Sequence, residues 1–189
     1  MMLAAEQMSM TFHPKDEEKH FVARMNQFEL GQRGHSQKAS NVMIGTANDE
    51  EVTLMDFYFQ VGHGKNAQRN LQSVAIFEYA GWNMPTFMLR PEHFGDRIKS
   101  SFGKDDIDFD DSPIFSKKYF LQGPDEEAIR GFFTPQLRSF FAERQGWYVE
   151  ANDYRLLICR KGRQKKPSNM IEFLRECLLI KEQVVVNED

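Results

Sequence analysis

Residues 41–61, NVMIGTANDEEVTLMDFYFQV, carry the two-residue rhythm on which the fold turns. Val42, Ile44 and Thr46 alternate with Met43, Gly45 and Ala47, and Asn48-Asp49 supplies a turn. Val52, Leu54, Asp56 and Tyr58 then alternate with Thr53, Met55, Phe57, Phe59 and Val61. Successive side chains of a strand point to opposite faces, so this pattern reads as a β-hairpin. The side bearing Thr53, Met55, Phe57, Phe59 and Val61 is the more apolar and is expected to face the core. Asp56 and Gln60 then fall on the wetter side.

Downstream, Gly62 to Asn66 interrupts the pattern and residues 71–79 resume it as a further strand. Residues 81–85 read as a turn and 86–89 as a short strand. Residues 91–102 read as a helix with Phe94 and Ile98 on one face, closed by Gly103. Ile107 and Phe109 alternate with Asp106, Asp108 and Asp110, which suits an extended segment at a sheet edge. A strand is expected over 115–121. Two helix starts follow: Pro124 with Asp125, Glu126 and Glu127, which buries Ile129, Phe132 and Phe133, and Thr134-Pro135, with Leu137, Phe140 and Phe141 at helical spacing. Residues 147–150 and 155–160 look like a closing hairpin, and the last helix presents Ile171, Leu174 and Leu178 as its apolar line.

Upstream, residues 32–41 read as a polar loop, and Phe21, Met25 and Phe28 behind Asp16-Glu17-Glu18 as a short amphipathic helix. Residues 1–15 lack periodicity and are expected to be a disordered lead-in. The predicted fold is a single α+β domain over 16–189. It has an antiparallel sheet of about six to eight strands and several flanking helices, including a C-terminal helix.

A chain of 189 residues removes roughly 70 % of its unfolded surface from water, enough to fold without disulfides or a structural metal. Its 17 Phe point to an aromatic core. A net charge of −4 and a pI near 5.8 argue against a surface built throughout for nucleic acid. Cys159 and Cys177 form no CxxC pair and suit a reducing compartment. The first twelve residues show neither part of a secretory signal, and no apolar run approaches the ~18 residues of a membrane span. A cytoplasmic location is therefore expected.

Gly62-His63-Gly64-Lys65-Asn66 invites a phosphate-loop reading, but Phe59 and Asn66 stand where that loop needs Gly and Ser or Thr. Asp106, Asp108 and Asp110 resemble the opening of a calcium loop, but Asp111 replaces its glycine and Lys117 its closing glutamate. His13, His20, His35, His63 and His93 form no ligand spacing, and neither cysteine lies in a nucleophile motif. No catalytic, metal or cofactor residue is assigned, and no cofactor is expected. Arg160, Lys161, Arg163, Lys165 and Lys166 are the largest same-sign cluster and the candidate anion contacts.

Residues 41–45, 56–59, 62–66, 85–92, 107–110, 115–119 and 123–127, taken in order, resemble an uncharacterised family of bacterial proteins. The resemblance runs from about Asn41 to the final helix. It implies a domain of unknown function whose members in some cases carry an N-terminal hydrophobic segment, which does not show in this sequence. It carries over no catalytic residue.

Three readings stand. The first is a non-catalytic interaction or regulatory module meeting a protein partner, with Trp82 and Arg90 as the candidate surface and Phe87 as either surface or core. The second is a small hydrolase-like enzyme assembled from His35, His63 and Asp56 or Glu92. The third is a binder of polyanions or anionic membrane surfaces through the loop from Arg160 to Lys166, with nucleic acid and membrane the weaker partners. Oligomeric state is left open.

Overall fold

The computed structural model describes residues 1–47, 49–92, 106–160 and 162–186. Its centre is one antiparallel sheet of eight strands in the order β1-β2-β3-β4-β8-β7-β5-β6. These are β1 (Thr11–Lys15), β2 (His35–Ala47), β3 (Glu50–Val61), β4 (Gln68–Glu78), β5 (Met84–Pro91), β6 (Tyr119–Gln122), β7 (Tyr148–Asp153) and β8 (Arg155–Cys159). The helices are α1 (Met2–Gln7), α2 (His20–Met25), α3 (Pro113–Lys118), α4 (Glu126–Phe132), α5 (Pro135–Glu143) and α6 (Met170–Val185). The class is α+β, as the alternating pattern implies. Residues 93–105, with the helix expected through Phe94 and Ile98, lie outside the described residues, as does Asn48.

The sheet is apolar on both faces. Leu54, Ala75, Phe77, Phe87, Val149 and Ile158 belong to a core that also takes side chains of α1, α3, α4, α5 and α6. Met55, Phe57, Phe59, Val74, Ile76 and Leu157 belong to a second core with Phe21, Val22, Met25, Phe28 and Leu30, from α2 and the turns after it. One wet face was expected on β3. Instead Asp56 is 1 % exposed, a correction that follows from the loop after β8 lying over it, and Val61 at the strand end is 39 % exposed.

Polar anchors hold the α2 layer against the sheet. Arg24 bonds Glu51 Oε1 and Thr53 Oγ1 of β3 at 2.5 and 2.8 Å and reaches Glu78 Oε2 of β4 at 3.0 Å. Glu150 of β7 is buried, and its carboxylate accepts the Glu29 N–H at 2.6 Å, the Leu30 N–H at 2.8 Å and the Tyr148 hydroxyl. Two backbone donors of the turn thus end on one side chain, which satisfies groups that burial would otherwise orphan. Gly31 is required there, because a Cβ would fall 1.8 Å from the Met25 carbonyl oxygen.

Four expectations change. Residues 1–15 are not a disordered lead-in: α1 buries Ala4 and Ala5, and β1 pairs with β2 from Thr11↔Ile44 to Lys15↔Ser40. Tertiary pairing supplies the order that local periodicity lacks. Strand β2 begins at His35, inside the expected loop, with register shifts absorbing its irregular sequence. Phe115 lies in α3, because Ser112-Pro113 starts a helix as Thr134-Pro135 does. Helix α6 buries Met170, Phe173, Cys177, Ile180 and Val184, while Ile171, Leu174 and Leu178 flank that stripe. The helix starts at Asp125 and Thr134 stand as expected, each side chain accepting a first-turn N–H at 3.0 and 3.3 Å.

The borders of the sheet are finished differently. At β6 the Asp106 carboxylate accepts the Leu121 N–H at 2.7 Å, and the Ile107 N–H donates to the Leu121 carbonyl at 2.8 Å. Ile107 and Phe109 are buried and Asp108 and Asp110 exposed, which is the expected edge segment. At the other border β1 is short and contains Pro14, which has no N–H to offer.

Removing residues 1–10 lowers stability by at least about 2 kcal/mol through lost methyl and methylene burial, read as a lower urea midpoint; an unchanged midpoint would return the segment to the status of a tail. Burial pushes the Glu150 carboxyl up to about 7 from 4.5. The folded chain therefore holds a proton that the unfolded chain releases, so stability is full below about pH 4.5 and falls as pH rises through about 7. The fall is on the order of 3 kcal/mol. Glu150→Gln removes that slope between pH 5 and 8, and an equal slope in both proteins would show another group to be responsible.

Candidate functional site

Strands β2, β3 and β4 outrun their neighbours at one end. Strand β8 pairs with β4 only from Val74↔Cys159 to Glu78↔Arg155, so the first half of β4 needs other partners. The chain after β8 supplies them. Arg163 accepts the Ser73 N–H through its carbonyl at 3.3 Å, Gly162 donates its N–H to Gln72 Oε1 at 3.2 Å, and Lys165 donates its N–H to Ser73 Oγ at 2.9 Å. Asp56 completes the arrangement. Its carboxylate accepts Asn41 Nδ2 and Gln164 Nε2 at 2.8 Å each and the Ser73 hydroxyl at 2.7 Å. Three donors offset the desolvation of one carboxylate, and the loop is pinned over the row Ser40, Asp56, Ser73.

Beyond that row the helical layer thins. The next rows across β2, β3 and β4 are Lys38, Tyr58, Leu71 and then His35, Gln60, Arg69. Cross-strand partners share a face, and Tyr58 and Gln60 share that of Leu54. Tyr58 and Leu71 are half-buried, whereas Lys38 and Arg69 are exposed. The carboxylate of the preceding row, Asp56, is already taken by three donors.

Lys65 in the β3–β4 turn and Arg163 and Lys166 in the pinned loop are exposed at the same end. Lys38, Lys65, Arg69, Arg163 and Lys166 make no ion pair among the described residues. His35 ties β2 to the turn. Its Nε2–H donates to the Gly62 carbonyl at 2.9 Å, its Nδ1 accepts from the Ser36 hydroxyl at 2.9 Å, and its ring stacks on that of His63 at 4.7 Å. A carbonyl can only accept, so the Nε2 proton is assigned by its partner.

Several sequence candidates lie elsewhere. Trp82 and Arg90, expected to be a surface, are 5 % and 8 % exposed. Trp82 joins the helix-side core with its ring edge-on to Tyr79 at 5.9 Å, because that much apolar area is best buried. The Arg90 guanidinium lies 3.8 Å from the Phe120 ring centroid and donates to the Glu92 carbonyl at 3.2 Å. Phe87 is core, against Phe132 and Phe133.

The cationic loop divides. Arg160 and Lys165 each reach Glu176 at 3.6 Å and lie over Trp147 and Phe173. Arg163 and Lys166 stay on the surface, and Lys161 lies outside the described residues. Of the four hydrolase candidates, His35 and His63 meet, Asp56 is consumed by three donors, and Glu92 lies next to β6, its N–H donating to the Lys118 carbonyl at 3.0 Å. Lys38, Arg69 and Tyr58 were missed, and Lys65 was weighed only within the phosphate-loop reading. Lys38 fell in the stretch read as loop, and only unequal strand lengths reveal that these residues share an end.

Acidic and imidazole side chains also line a shallow cleft of about 350 Å³ beside β1, including His13, Asp16, Glu17 and His20. Asp16 there already accepts the Val22 N–H at 2.8 Å. Among the described residues no group of three or more His, Cys, Asp or Glu is placed to hold a metal ion, and no helix is long and apolar enough to cross a membrane.

No family model and no curated protein matches the chain. Among solved structures, the crystal structure of the mycobacterial trehalose monomycolate transport factor A, TtfA, is similar. Its TM-score is 0.67 with 11 % identity, covering 96 % of this chain and 90 % of that one. At that identity the likeness is one of fold.

Proposed function

We propose that the chain is a non-catalytic interaction module that meets a negatively charged partner through the cationic end of β2, β3 and β4. The observation that carries this reading is five exposed cations without an ion pair among the described residues, gathered at one end of a chain whose net charge is −4. Folding gains nothing from such a cluster, since like charges repel and each exposed side chain keeps its entropy. The interior polar groups support the same reading: Asp56, Ser73, Tyr148 and Glu150 are engaged in fastening loops to the sheet. The free, buried thiols of Cys159 and Cys177 fit a cytoplasmic setting, where thiols stay reduced.

The test is retention on immobilised heparin over a salt gradient. The wild type is retained, and Lys38→Glu, Arg69→Glu, Arg163→Glu combined elutes at markedly lower salt with an unchanged melting temperature. Lys117→Glu, Arg144→Glu, Arg175→Glu changes the net charge equally at other exposed positions and leaves retention near that of the wild type. Equal losses in the two triple variants would reduce the effect to overall charge and remove the assignment of this face.

A further inference from the structure

Resting on that reading, we infer that the partner of the cationic end is the anionic surface of a lipid bilayer. The shape of the end argues for an extended surface over a small ligand. Three strands lie side by side at about 4.8 Å, and successive rows on one face are about 7 Å apart along them. Lys38, Tyr58, Leu71 and His35, Gln60, Arg69 therefore form a nearly flat patch with no enclosing wall of their own.

Its composition narrows the choice. Tyr58 and Leu71 sit half-buried between Lys38 and Arg69 on one face of the sheet, close to the turn that carries Lys65. Lys and Arg with a tyrosine and an aliphatic side chain are the residues that settle at the headgroup level, where charge meets phosphate and the apolar part meets the upper acyl chains. A single-stranded nucleic acid asks for successive free aromatic faces. The rows present Tyr58, and the two imidazoles beside it are stacked on each other. An acidic protein surface would supply the counter-charge but leave the apolar pair Tyr58 and Leu71, set between the cations, without a function.

The contact is peripheral. Each cation brought to an anionic surface raises partitioning about fivefold, so five together hold the protein there reversibly while two do not. The pinning of the 162–165 loop by Asp56 and Ser73 then has a use: it presents Arg163 in fixed register with Lys38 and Arg69.

The test is cosedimentation of the full chain with vesicles of phosphatidylcholine alone and of phosphatidylcholine with roughly 30 % phosphatidylglycerol, beside filter binding to poly(U) RNA and to polyglutamate. The chain is expected to pellet with the mixed vesicles and not the neutral ones, and to be released by salt. The Lys38→Glu, Arg69→Glu, Arg163→Glu variant loses more than about 100-fold in partitioning. Tyr58→Ser, Leu71→Ser combined, folded by circular dichroism, loses vesicle binding several-fold while its heparin retention is unchanged. Binding to poly(U) or polyglutamate without binding to mixed vesicles overturns the bilayer and leaves the anion-binding face standing. Binding to none of the three overturns both. Vesicle binding undiminished in the Tyr58→Ser, Leu71→Ser variant overturns the bilayer contact in favour of attraction by charge alone.

Discussion

The architecture depends on the burial of both faces of the central pair β3 and β4. Leu54, Ala75 and Phe77 on one side and Met55, Phe57, Val74 and Ile76 on the other leave neither face fit for water. At roughly 25 cal/mol per Å² of apolar surface, exposing either side would erase the margin by which a domain of this size folds. Five helices therefore pack on one face, and α2 with its turns on the other. The placement of polar residues follows from that constraint, because each one caught beneath a layer must find its partners inside.

Much of this was legible in the residues. Alternation located β3, β4, β7 and β8, proline with acidic residues located the start of α4, and proline with a capping hydroxyl that of α5. What escaped has physical reasons. Two-sided burial cannot be inferred from one strand, because alternation reports which face is greasier and not whether the other is covered. Asp56 was therefore placed toward water when it lies under a loop. The N-terminal residues show no period, and their order comes from β2. At the candidate site the gap is wider: Arg163 and Lys166 were named from their run of charge, while Lys38 and Arg69, far apart in the chain, join them only through strand pairing. Trp82 and Arg90 looked like surface residues because a turn and a charge suggest exposure. A ring beneath Arg90 and a pocket around Trp82 decide otherwise.

Buried carboxylates divide the labour between the two layers. Asp56 fixes a loop to the helix-side face through neutral donors, and Glu150 fixes the α2 turns to the other through two backbone N–H groups and a phenol. Apolar contact alone would tolerate several ways of laying a loop on a sheet. A carboxylate whose acceptor sites are already assigned tolerates one, so these residues contribute conformational specificity at some cost in stability.

The treatment of the sheet borders bears on how neighbouring copies of the chain can meet. At β6 the N–H and carbonyl of Leu121 are already taken by Asp106 and Ile107, and at β1 a proline interrupts the run of donors within five residues. Among the described residues, neither border strand thus presents a long ribbon of free main chain on which neighbouring copies could stack. High local density can be reached without seeding fibrils.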